Sequence, residues 1–186
     1  CTERGIPVFF LSSRGEPYAT IYAAGLSGTV MTRREQLRAF DDRRGAALGV
    51  AFALGKLQNQ AITLKYLAKN RKEGGAGDGL NQVADELLDS VNQLERLLRK
   101  EEEQSVTIDR IRASLMGIEG DGARRYWEAV RTILPTEYGW TTREGRGATD
   151  PVNSLLNYGY GILYGQIERA LVLAGLDPFA GYVHVD

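Results

Sequence analysis

The stretch DPVNSLLNYGYGILYGQIERALVLAGLDPFAGYVHVD, Asp150 to Asp186, governs how the rest of the chain is read. Its first part has the pattern of one long helix. Asp150 can cap the start, and Pro151 falls at the first helical position, where a missing N–H costs nothing. Leu155, Leu156, Tyr160, Leu163, Tyr164, Ile167, Leu171 and Leu173 recur at spacings near three and four. They cover enough of the circumference to predict burial on most sides. Gly175 supplies a stop, and Leu176-Asp177-Pro178 begins a turn. Beyond it lies His184, the one histidine of the chain. On the residues alone, a histidine beside Tyr182 and Val183 reads first as a hydrogen-bonded structural group and second as a ligand.

Upstream, helical patterning dominates. Leu80, Val83, Ala84, Leu87, Leu88, Val91, Leu94, Leu97 and Leu98 mark a regular amphipathic helix, read as packing on the domain core. Residues 44–70 form a long helix with Leu48, Phe52, Leu57, Leu64 and Leu67 among its apolar positions, and 33–42 a short one. Between the two long helices, the glycine-rich run 73–79 lacks a preceding strand and a following Gly-Lys-Ser/Thr. It reads as a flexible connection rather than a phosphate loop. Residues 6–23 hold two β-rich runs around Ser13-Arg14-Gly15, the pattern of a hairpin. Two strands alone are marginal, so they read as the tail of a larger β element. The fold class is therefore mainly α. Residues 1–30 are expected to be the end of a β domain with its linker, and 31–186 a helical domain.

At 186 residues the chain can bury one sizeable core. Neither a membrane span nor a signal peptide is evident, and the lone Cys1 fits a reducing cytoplasm. A net charge of −1 gives no case for nucleic acid, but the charge is uneven. Residues 33–72 carry ten basic residues against three acids, and 85–103 carry seven acids against three bases. Such asymmetry marks either solvated faces or a phosphate-binding surface.

A second informative segment is Leu115-Met-Gly-Ile-Glu119-Gly120-Asp121-Gly-Ala-Arg124-Arg125-Tyr126-Trp127. Gly117 and Gly120 bracket Glu119, predicting a bend where a short helix from Thr107 meets another beginning near Ile118. A carboxylate at such a helix start stays ionised and suits either a cation ligand or a capping acid. Arg124 and Arg125 lie about a turn beyond and could contact a phosphate or simply face solvent.

These segments resemble the CRISPR-associated spacer-acquisition integrases, the Cas1 family. N-S-L-L-N-Y-G-Y-x-x-L-Y followed by A-G-L-D-P-F-A-G-Y-V-H is similar to the family's catalytic half, nearly without gaps from Asp150 to His184. Residues 115–127 resemble the segment that supplies the family's metal-binding glutamate. Lys56-Leu-Gln-Asn59-Gln resembles a further helix signature, in which Asn59 is read as an interhelical hydrogen-bonding group. The resemblance implies Glu119 and His184 as catalytic metal ligands. It also implies a third ligand, an aspartate, in a segment expected after His184, so a chain ending at Asp186 is expected to be truncated and to show little catalysis. Carboxylate-rich ligation suits Mg²⁺ or Mn²⁺ better than Zn²⁺. The implied reaction is transesterification, in which a 3′-hydroxyl of a short duplex attacks a phosphodiester at the border of the CRISPR repeat. Implied partners are double-stranded DNA, the small Cas2 subunit and a second copy in a homodimer, in the cytoplasm and without a membrane. Arg124, Arg125, Arg143, Arg146 and Tyr164 are the candidate DNA contacts, with packing as the plain alternative for Tyr164. The rival expectation is a non-catalytic helical scaffold or DNA-binding module.

Overall fold

A computed structural model of the chain describes residues 4, 8–11, 17–21, 29–71, 75–100, 106–145 and 147–184. The architecture is mainly α, as the periodicities predict. In order come strands β1 (Val8–Leu11) and β2 (Pro17–Ile21), then helices α1 (Val30–Arg38), α2 (Arg43–Lys69), α3 (Ala76–Lys100), α4 (Ile108–Arg131) and α5 (Pro151–Leu173). Short 3₁₀ turns fall at Ala39–Asp41 and Thr136–Tyr138. The chain divides into two compact units: residues 1–37 with 136–180, and residues 38–135 with 181–186.

In the second unit α2, α3 and α4 share one core. Its centre is Val50, Leu57 and Leu64 from α2, Leu80, Leu87 and Leu94 from α3, and Ile108 and Leu115 from α4. The seven-residue spacing in α3 keeps one seam facing its neighbours. On α2 the buried face is otherwise made of small residues: Gly45, Ala46, Gly49, Ala53, Ala61 and Ala68. Leu48 and Phe52, two of its apolar positions, are exposed. Small residues on this face leave room for close neighbours: a Cβ on Gly49 would stand 2.8 Å from Ile108 Cδ1 of α4.

Two expectations are corrected here. Helix α3 starts inside the glycine-rich run, at Ala76, and residues 72–74 lie outside the described residues. The Gly77 N–H donates to the Arg71 carbonyl at 3.0 Å, and a Cβ on Gly77 would meet that oxygen at 2.6 Å, so glycine is needed there. Helix α4 runs unbroken through Gly117 and Gly120, with no bend at Glu119. Each helical glycine costs about 1 kcal/mol relative to alanine, which packing of α4 on α2 and α3 readily outweighs.

The first unit contains the antiparallel hairpin, with Val8 paired to Ile21 and Phe10 to Ala19. The turn expected at Ser13-Arg14-Gly15 and the linker before Thr29 lie outside the described residues. Asp150 caps α5 by accepting from the Asn153 N–H, and Pro151 follows as expected. At the other end the Leu176 N–H donates to the Leu171 carbonyl and the Gly175 N–H to that of Val172, with Gly175 at φ +79°. This paired closure needs a left-handed residue, hence glycine. Burial of α5 on most sides is not observed. Only Asn153, Gly165 and Val172 are buried on it, and Leu155 is 72% exposed. Apolar periodicity reports a preference for burial; it does not supply the covering surface. Among the described residues, no helix is long and apolar enough to cross a membrane.

Candidate active site

Glu119 projects from the middle of α4, not from a helix start. Its partner is across the core. One turn beyond it, Gly122 lets α4 approach α2 so closely that an added Cβ would stand 2.6 Å from Leu57 Cδ2 and 3.3 Å from Leu87 Cδ2. Lys56, the neighbour of Leu57, thereby reaches over, and its Nζ donates to Glu119 Oε1 in an ion pair. The two side chains differ in freedom: Glu119 is 14% exposed and Lys56 49%. One turn after Lys56, Gln60 Oε1 is buried with no hydrogen-bond partner among the described residues. Asn59 is exposed, and the interhelical bond expected of it does not form among the described residues.

His184 ends the described chain on a tail that returns to this unit. The Tyr182 ring stacks tilted on Phe40, with centroids 4.8 Å apart, and its carbonyl accepts from the Arg112 guanidinium at 3.3 Å. Arg112 is itself held by Asp109. Burial raises the Tyr182 phenol above its ordinary value, so it stays neutral. Tyr182 lies beside Gly45, 3.2 Å from where a Cβ would be, and Val183 beside Gly49, at 3.4 Å. The side chains of Tyr182 and Val183 thus meet α2 at positions one turn apart, and Lys56 lies about 10 Å of helix beyond Gly49. His184 is exposed. No hydrogen bond or ion pair among the described residues joins it to Glu119.

Arg124 and Arg125 are engaged with acids. Arg124 bonds Asp121 at 2.7 Å and Glu128 at 2.9 Å; Arg125 bonds Asp121 at 2.9 Å and Glu86 of α3 at 3.0 Å. The Arg124 hydrogen bond is the main cause that holds the Asp121 carboxyl below its ordinary value. These exposed pairs can open at small cost, since such bridges are worth about 0–1 kcal/mol.

In the first unit, Asn153 is 1% exposed and ties a loop to the start of α5. Its Nδ2 donates to the Thr142 carbonyl and to Asp150 Oδ2, each at 2.8 Å, while its Oδ1 accepts from the Glu144 N–H at 3.0 Å and from Arg143 at 3.2 Å. The Arg143 guanidinium also lies 5.3 Å from the centre of the Tyr160 ring, a cation–π distance. Tyr164, one turn further, is 55% exposed rather than packed. Arg146 lies outside the described residues. Lys56 and Asn153 are the two residues that sequence reasoning passed over as site groups. The asparagine's position three after a capping aspartate was the available signal.

Among the described residues, no cluster of three or more His, Cys, Asp or Glu side chains could hold a metal. The donor chemistry of Glu119 nevertheless fits a hard divalent cation in part. It is a fixed, largely buried carboxylate that the fold already matches with positive charge.

Comparison with known proteins shows the family to which the chain belongs. The family model for CRISPR associated protein Cas1 matches residues 1–186. A CRISPR-associated endonuclease Cas1 from Archaeoglobus fulgidus is 39% identical over 188 residues, covering 97% of this chain and 53% of that protein. One from Korarchaeum cryptofilum is 34% identical over 190 residues, covering 99% and 54%. The chain therefore spans about half the length of the curated relatives it matches. Among solved structures, a casposase bound to integration product matches with a TM-score of 0.71 at 23% identity, covering 100% of this chain and 47% of that one. A CAS1 protein from Thermotoga maritima matches at 0.69 and 19%, covering 98% and 52%. At such identities these two structures speak for the fold.

Proposed function

Because the chain belongs to the Cas1 family of CRISPR-associated proteins, we propose that it carries the helical catalytic part of a CRISPR adaptation integrase. The observation that carries this reading is the course of the tail. Tyr182 at Gly45 and Val183 at Gly49 seat the residues before His184 on α2, the helix whose Lys56 is paired with Glu119. Glu119 and His184 would hold one Mg²⁺ or Mn²⁺, with a third ligand outside residues 1–186. When bound, such an ion supplies Lewis-acid polarisation of a phosphate.

The chain's own residues do the rest. Glu119, fixed in α4 by the α2 contact, contributes the negative charge of the site. Arg112 and Phe40 hold the Tyr182 segment and so orient the imidazole two residues on. Arg143, fixed by Asn153, offers a cation for the DNA backbone, and Arg124, Arg125, Arg146 and Tyr164 are further candidate contacts. Phosphate contacts of this kind position the duplex without reading bases. In the reaction, a 3′-hydroxyl of the spacer duplex attacks a phosphodiester at the repeat border. One P–O bond forms and one breaks, the attacking proton leaves, and the departing 3′-oxygen gains one. No nucleotide hydrolysis is required. The working assembly is a homodimer with the small Cas2 subunit in the cytoplasm, and residues 1–30 belong to the end of its β domain, with 31–186 the helical domain.

A competing reading is a non-catalytic helical scaffold or DNA-binding module. It draws on the engagement of Glu119 by Lys56 and on the acids paired to Arg124 and Arg125. Strand transfer by the complete protein with its small partner decides between them. A short duplex donor, a repeat-bearing target and Mn²⁺ or Mg²⁺ are required, with Glu119→Ala and His184→Ala alongside. Metal-dependent joining, lost in both variants, is expected. Joining that survives Glu119→Ala sinks the site assignment. Absence of joining in the unmodified protein, with salt-sensitive DNA binding intact, selects the scaffold.

A further inference from the structure

The Lys56–Glu119 pair is asymmetric in a way that suits exchange. Glu119 is held nearly out of water on a packed helix, whereas half of the Lys56 side chain stands in solvent on a flexible stem. The carboxylate cannot leave its place; the ammonium can. We propose that Lys56 is a built-in counter-cation, a positioning residue that holds the Glu119 carboxylate ready when no divalent ion is present and competes with that ion for it. The inference rests on the reading of Glu119 as a metal ligand.

An ammonium donating to Oε1 occupies the oxygen that a divalent ion would need. The close contact of Leu57 with Gly122 keeps Lys56 in range. When a divalent ion takes Glu119, the ammonium is displaced by like-charge repulsion. The arrangement weakens metal binding while it keeps the carboxylate aimed. Removing the lysine charge takes away both the competition and the repulsion, so both effects act in one direction: tighter binding.

Titration of Mn²⁺ into the full-length protein, followed by the loss of the free-ion EPR signal, tests this without reference to catalysis. Lys56→Met is expected to bind Mn²⁺ about two- to fivefold more tightly than the unmodified protein, the span set by a partly exposed ion pair. Lys56→Arg keeps the charge and is expected to bind no more tightly than the unmodified protein. Glu119→Gln is expected to lose the site, and Lys56→Met in that background to restore nothing. Thermal unfolding of each variant confirms that folded protein is compared. Equal or weaker Mn²⁺ binding by Lys56→Met, with Glu119→Gln still abolishing it, overturns the inference and leaves the metal reading standing. Mn²⁺ binding by Glu119→Gln that equals the unmodified protein removes the metal reading itself, and with it the role of Lys56.

Discussion

Leu57 and Gly122 meet where α2 and α4 come together, and a single methyl group added at Gly122 would stand 2.6 Å from the leucine's Cδ2. Leu57 is fully buried, so it has little room to yield. Overpacking of this kind costs about 1–3 kcal/mol, while alanine gains about 1 kcal/mol in helix propensity. Gly122→Ala is therefore expected to lower stability by about 1 kcal/mol net in chemical denaturation. Gly117→Ala and Gly120→Ala meet nothing within 4 Å and are expected to raise it, each by up to about 1 kcal/mol. Destabilisation by all three alike would show that α4 is broken in solution, as its glycines alone predict.

Burial separates leucines of similar sequence appearance. Leu64→Ala, at a fully buried position, is expected to cost about 2–5 kcal/mol in urea unfolding of the 186-residue chain. Leu155→Ala, at 72% exposure on α5, is expected to cost under about 0.5 kcal/mol. A Leu155 cost near that of Leu64 would mean that α5 is covered.

Asn153 should behave as the knot of its loop. Asn153→Ala leaves the Thr142 carbonyl and the Glu144 N–H without their partner, each at a cost of about 1–3 kcal/mol if it stays buried. The cheaper outcome is release of the loop, so amide exchange at residues 142–145 is expected to quicken well before the helical core responds. Asn153→Asp sets an acceptor against Thr142 and Asp150 and is expected to be no better than alanine. Unchanged exchange in both variants would remove Asn153 from this role and leave Arg143 unsupported.

Asp150 gives a pH dependence with a fixed sign. The Asn153 N–H is the main cause that holds its carboxyl below the ordinary value of 3.8. A depressed folded value means that its stabilisation is complete above the unfolded value and is lost as pH falls through the folded one. Asp150→Ala should therefore lower the melting temperature at pH 7 and flatten the acid limb of stability below about pH 4. An acid limb as steep in the variant as in the parent would assign that limb to other carboxylates.

Local signals carried much of the fold, because they are written in neighbouring residues. The periodicity of α3, the Asp150 cap, Pro151 and the Gly175 stop are all satisfied within a turn or two of chain. What failed was set at a distance. Gly117 and Gly120 pointed to a bend that packing against α2 and α3 overrode, and with the bend went the reason first given for an ionised Glu119. Its actual partner, Lys56, lies 63 residues earlier on another helix, where no spacing rule reaches. The apolar pattern of α5 was real, but a pattern cannot say whether a covering surface is at hand. Arg125 meets Glu86, 39 residues earlier, beyond any local rule, whereas the partners of Arg124, Asp121 and Glu128, stand three and four residues away and were legible in the sequence.

The exposed stripe of α5, with Leu155, Leu163 and Ile167 each more than half in water, gives this chain two opposed responses to dissolved ions. Contacts through the stripe strengthen in sulfate or phosphate, which are excluded from protein surfaces and favour apolar association. If the chain's arginines contact DNA, as the proposed function holds, those contacts weaken as sodium chloride rises, because counterion release then gains less. Sulfate and sodium chloride are then expected to act in opposite directions, the first favouring apolar contacts at the stripe and the second opposing ionic ones.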